Sequence, residues 1–119
     1  MFIRDLHTCD EIIAGDETTL RELLHPNKAN LKIHYSLAHA QVKPGQSSRP
    51  HKLNTSEVYY ILEGEGIMHV DDESEKVYSG QAVYIPPNSV QYIQNIGTSD
   101  LKFLCIVDPA WEPEDEEVL

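Results

Sequence analysis

The sequence predicts an all-β domain, a sandwich or barrel of antiparallel strands preceded by short N-terminal helices. Three observations carry this reading. From Leu31 onward, about seven or eight short segments of alternating or β-branched character recur at regular spacing. Gly, Pro or Asn stands between most of them, as in "KPGQ", "YSGQ", "IPPN" and "QNIG", which are turn-forming combinations. No helix of useful length lies between these segments, so a parallel sheet with crossover helices does not fit.

Residues 1–30 read as a helical lead-in. In "LHTCDEII", Thr8 and Glu11 have the spacing of a capping box. In "GDETTLRELLHPN", Asp16 is a candidate cap, Leu20, Leu23 and Leu24 would share one apolar face, and Pro26 ends the segment. Residues 31–108 hold the strands. "LKIHYSLAHAQV" alternates and runs into a turn. "SEVYYILEG" is β-branched and aromatic, and "GIMHV" and "KVYSG" flank the polar hairpin loop "DDESEK". "QAVYIPPN", "VQYIQNIG" and "LKFLCIVD" complete the set. Residues 109–119 read as a solvated acidic tail, with Trp111 either an anchor for docking or an exposed ring.

A chain of 119 residues makes one domain and can bury a core without disulfides. Twenty acidic against 9 basic residues give a net charge of −11. That balance opposes binding to nucleic acid or to anionic membrane surfaces. Cys9 and Cys105 form no CxxC pair, and Cys105 inside "FLCIV" reads as a small core residue. Two isolated cysteines and no recognisable signal peptide fit a cytoplasmic protein. No apolar run is long enough to cross a bilayer.

Chemistry concentrates near "RPHKLNTSEVYYILEG". On extended chain, side chains alternate faces, so His51, Leu53, Glu57, Tyr59 and Ile61 share one side. If that side is the interior, a His and a Glu there need a reason, because an unpaired buried charge is costly. A divalent metal, an Arg partner or a wet pocket would each supply one. No phosphate loop, dinucleotide fingerprint, nucleophile elbow or His-Glu-x-x-His motif occurs.

The spacing Gly45-x5-His51-x-Leu53-x3-Glu57-x6-Gly64 resembles the first motif of the cupins. Gly80-x5-Pro86-x-Asn88-x2-Gln91-x3-Asn95 resembles the second. With their strands, the two motifs cover most of the chain. The resemblance implies a double-stranded β-helix, or jelly-roll, barrel. It also implies a metal held inside by two His and one Glu of the first motif and a third His of the second. Carried over by position, His51 and Glu57 match ligands, whereas Leu53 and Gln91 stand where the second and third His would be. Asn88 replaces the motif's Gly, and Asn tolerates positive φ better than most residues.

The metal set implied here is therefore His51, Glu57 and Gln91, with His39 a possible additional ligand and Tyr59, Leu53 and Asn95 lining the pocket. The metal would be a divalent ion such as Zn, Ni, Mn or Fe. His34 and His39 have opposite parity, so at most one faces inward; His69 falls on the outer side of Met68 and Val70; His7 and His25 read as bystanders. Arg49 and Lys52 read as rim charges. Among cupins, the chain looks most similar to small single-domain, mannose-6-phosphate isomerase-like proteins. The resemblance implies either a metal-dependent isomerase, lyase or oxygenase acting on a small polar ligand, or a non-catalytic small-molecule-binding or regulatory cupin with a degenerate metal site. It further implies a homodimer.

Overall fold

A computed structural model describes residues 1–119. Eleven strands follow one another: β1 (Ile12–Ile13), β2 (Thr19–Leu24), β3 (Ser36–Val42), β4 (His51–Leu53), β5 (Ser56–Glu63), β6 (Glu65–Val70), β7 (Glu73–Tyr78), β8 (Ala82–Ile85), β9 (Gln91–Asn95), β10 (Leu101–Asp108) and β11 (Glu116–Val118). The only helical pieces are single 3-10 turns at Leu6–Thr8 and Pro113–Asp115. The strands form two antiparallel sheets, ordered β1-β2-β3-β10-β5-β8 and β11-β4-β9-β6-β7. The expected all-β jelly-roll barrel is what the chain adopts.

The core lies between the sheets and follows the alternation of the strands. Along β10 the pattern alternates strictly, with Leu101, Phe103, Cys105 and Val107 buried and their neighbours more exposed. The Phe103 ring packs at 4.5 Å, centroid to centroid, on Tyr59 of β5, a separation typical of a favourable aromatic pair. Gly64 links β5 to β6 with φ +88, and a Cβ there would lie 2.8 Å from the Asp100 carbonyl oxygen. Glycine is thus required at this corner by both backbone angle and space. Asn88, in place of the motif's Gly, takes φ +67, the left-handed conformation that Asn tolerates.

Two expected elements differ. The helix expected at 16–24 is β2, an extended strand paired antiparallel with β3. Leu20 lies opposite Ala40, and Arg21 opposite His39. Helix propensity in "TLRELL" is a weak preference, and the unpaired edge of β3 supplies hydrogen bonds that outweigh it. Asp16 therefore caps no helix. Its Oδ1 accepts from the Thr18 backbone N–H at 3.1 Å and from the Thr18 hydroxyl at 2.7 Å. Glu11 likewise closes no capping box; the Leu6–Thr8 turn is capped by the Asp5 carboxylate, which accepts from the His7 N–H.

The acidic tail is the second correction. Instead of lying free in solvent, it turns back as β11 and pairs with β4, with Val118 opposite His51. Trp111 docks on its own chain. Its backbone N–H donates to the Ser36 hydroxyl, and its indole N–H donates to Glu116. His25, expected as a bystander, is buried and donates through Nε2 to the Trp111 carbonyl at 2.7 Å. It thereby ties the end of β2 to the returning C-terminal segment.

Candidate functional site

The two sheets leave a cavity of about 240 Å³. Apolar walls come from Leu20, Ala38, Ala40, Leu53 and Phe103, and polar groups from Asp16, His51, Glu57 and Glu116, with Trp111 also lining it. These polar groups arrive from the loop before β2 and from β4, β5 and β11. Residues far apart in sequence meet because the strands carrying them face one interior.

His51 is buried, and its backbone pairs with Gln91 across β4 and β9. Nδ1 lies 2.8 Å from the Arg49 carbonyl oxygen. A carbonyl only accepts, so Nδ1 carries the proton of the neutral ring and Nε2 carries a lone pair. Nε2 lies 3.6 Å from Asp16 Oδ2, beyond hydrogen-bonding distance for this pair.

Glu57, Gln91 and Tyr59 form a buried chain of hydrogen bonds. The Gln91 amide donates through Nε2 to Glu57 Oε1 at 3.0 Å. The Tyr59 hydroxyl donates to Gln91 Oε1, also at 3.0 Å, which fixes the amide's orientation. Burial pushes the Glu57 carboxyl up from its ordinary 4.5 to about 8, against the lowering effect of the Gln91 bond and with help from the charges of Asp16 and Glu116. At neutral pH Glu57 accordingly holds its proton. Burial also lifts the Tyr59 hydroxyl and the Cys105 thiol well above their ordinary ranges.

The structure brings His51, Leu53, Glu57 and Tyr59 to the cavity and links Gln91 to them through Glu57. His39 is elsewhere. Its neighbours Ala38 and Ala40 line the cavity, so His39 falls on the opposite face of β3, between Arg21 and Leu104 of the flanking strands. Burial lowers its pKa first, and the charges of Lys102 and Arg21 lower it further. Asn95 does not line the cavity. Its amide donates to the Val42 and Ser99 carbonyls and its oxygen accepts from the Gly97 N–H, so it fastens turns. His69 stacks on Tyr92 at 4.0 Å and bonds to Gln94. Arg49 and Lys52 reach the C-terminal segment, at the Leu119 carbonyl and at Glu117.

The sequence reading missed Asp16, Glu116 and Trp111 as cavity residues. No spacing could have revealed them, since each belongs to a segment expected to be helical or solvated.

The donor set does not fit the metal site that the motifs imply. Leu53 brings no donor, and both ends of the Gln91 amide are engaged by neighbours. No three His, Cys, Asp or Glu side chains converge closely enough to hold a metal ion.

A double-sheet antiparallel barrel with His and Glu on its inner face defines a class of barrel proteins. Within it, the chain belongs to the cupin family: the model of the cupin domain matches residues 38–107. An uncharacterised protein of Methanocaldococcus jannaschii is 45% identical over 108 residues, covering 90% of this chain and 86% of that protein. An oxalate-binding protein of Thermotoga maritima is 33% identical over 88 residues, 73% of this chain and 68% of the relative. The crystal structure of a predicted oxalate decarboxylase from Thermotoga maritima superposes with a TM-score of 0.79 at 22% identity, over 91% of this chain and 99% of that one. At that identity the likeness speaks for the fold alone.

Proposed function

We propose that this cupin binds a small organic molecule in its barrel cavity and does so without the family's full set of metal ligands. The observation that carries this reading is the commitment of Gln91. Its amide is held between Glu57 and Tyr59 instead of being free to ligate, and Leu53 lines the cavity where an imidazole would stand. The remaining polar atoms suit hydrogen bonding to a ligand. Protonated Glu57 offers an O–H donor, His51 Nε2 offers a lone pair, and the apolar walls receive the body of the molecule. Such a mixture of apolar lining and few polar groups is usual for small-molecule sites.

A second reading keeps a divalent metal on His51 and Glu57, with isomerase, lyase or oxygenase chemistry. It draws support from the His51 ring alone. A backbone carbonyl anchors Nδ1 and turns Nε2 toward the cavity, as is common for metal-binding imidazoles. The two readings separate on metal content. Tag-free protein purified without chelator should carry far less than one equivalent of metal. Near-stoichiometric metal that vanishes in Glu57→Ala would overturn the first reading.

The free thiols of Cys9 and Cys105 support a cytoplasmic location. No helix is long and apolar enough to cross a membrane. A homodimer, the other partner the family resemblance implies, would form at the β1 edge of the larger sheet. There Ile12 and Ile13 are exposed beside unpaired backbone groups, and edge strands invite pairing.

A further inference from the structure

We infer that the ligand of this cavity is a small organic ammonium compound, an amine with a short apolar body, recognised by Asp16, Glu116 and the free nitrogen of His51. This inference rests on the small-molecule reading above and names the class of molecule.

The charges facing the cavity are lopsided. Asp16 contributes a carboxylate from the loop before β2, Glu22 from β2, Glu57 a carboxyl from β5, and Glu116 a carboxylate from β11. Lys28 is the single lysine there, and no arginine lines the cavity. The Lys28 ammonium is spent on Glu22, 2.6 Å away. An anionic ligand would find no free cation and would approach Asp16 and Glu116, so like charges would oppose it. A positively charged head would meet two carboxylates in a half-enclosed site, where screening is weak and charge-assisted hydrogen bonds are strong.

Acidic groups alone do not make a site, but one further buried side chain, His51, lines this space with its Nε2 in no hydrogen bond. The His51 side chain is 4% exposed, and its Nε2 has no hydrogen-bond donor within reach. Buried polar atoms ordinarily find partners. An ammonium supplies three N–H donors, one each for Asp16, Glu116 and the His51 Nε2. Its carbon chain then fits against Leu20, Leu53 and Phe103. A bare metal ion would leave that apolar wall uncovered, and the side chains do not converge on one point as a metal requires. The volume of about 240 Å³ falls below the roughly 300–1,000 Å³ of drug-sized pockets, so the molecule is small. The oxalate named for the Thermotoga maritima relative is a dianion and does not match this charge pattern.

Trp111, the only tryptophan, lines the cavity and reports its occupancy. The full chain would be titrated with butylamine, butyrate, 1-butanol, oxalate, Mg²⁺ and Zn²⁺, following Trp111 fluorescence and, independently, thermal unfolding. Butylamine should saturate and stabilise the fold, with butyrate and butanol at least about tenfold weaker. Asp16→Asn and Glu116→Gln should each weaken the amine about tenfold while leaving circular dichroism unchanged; if Asp16→Asn does not fold, Glu116→Gln decides alone. Tighter binding of butyrate, butanol or oxalate would overturn the ammonium assignment while leaving a small-molecule pocket. Saturation by a metal ion that excludes butylamine would overturn both readings. No response to butylamine overturns the assignment, and the metal analysis then decides the pocket reading by itself.

Discussion

The Gln91 amide donates to the Glu57 carboxyl at 3.0 Å, joining β9 of one sheet to β5 of the other across the barrel interior. Where the cupin motifs would carry an imidazole, this chain carries a neutral amide that bonds to an acid and a phenol at once. That contact, with the Tyr59 bond, engages both ends of the Gln91 amide.

Stability should fall as pH rises through the range in which Glu57 would ordinarily ionise. The unfolded carboxyl loses its proton near 4.5, whereas the folded one keeps it until about 8. Between those values the folded state binds more protons than the unfolded state, so raising the pH favours unfolding. The slope from this group is at most about 1.4 kcal/mol per pH unit, and it levels off above the window. Glu57→Gln removes it. Urea unfolding of both proteins at pH 5, 6, 7 and 8 should show the variant's advantage growing with pH. His39 contributes equally to both and cancels in the difference. A constant difference across the series would contradict a buried, protonated Glu57.

Restoring the absent imidazoles should restore metal binding. Leu53 and Gln91 are 3% and 1% exposed, and Leu53 already lines the cavity. The double substitution Leu53→His and Gln91→His completes three imidazoles and a carboxylate, a set suited to Zn, Ni, Mn or Fe. The tag-free double variant should retain about one equivalent of metal where the natural sequence retains little, measured by elemental analysis. Its apo form should lose about 1–3 kcal/mol, the usual cost of burying polar groups without full partners, and metal should recover it. An unchanged metal content would mean that these two positions do not decide the site.

The β1 edge should govern association. Ile13 is 69% exposed on a strand paired on one side only. A charge at an open edge blocks strand pairing. Sedimentation should find a homodimer for the natural sequence and a monomer for Ile13→Lys, while monomer stability shifts by no more than about 0.5 kcal/mol, as for other exposed positions. A variant that still sediments as a dimer would move the interface elsewhere.

Much of this protein could be read along the chain. The alternation of "LKFLCIVD" and its neighbours dictated antiparallel strands, because side-chain direction on extended backbone is fixed by position. The spacing from Gly45 to Gly64 and from Gly80 to Asn95 carried the barrel and put His51, Glu57 and Gln91 in one neighbourhood, since glycine and asparagine turns set how strands face each other. What the chain could not reveal was which groups complete the cavity. Asp16, Glu116 and Trp111 reach it only because β2 and β11 borrow hydrogen bonds from β3 and β4, and those partners lie far off in sequence. Local preference in "TLRELL" and charge in "EPEDEEVL" pointed toward helix and solvent; pairing with an open strand edge overrode both. The Asp16–His51 approach and the engagement of Gln91 by Glu57 and Tyr59 are likewise products of the closed barrel, where distance through space, not along the chain, sets the chemistry.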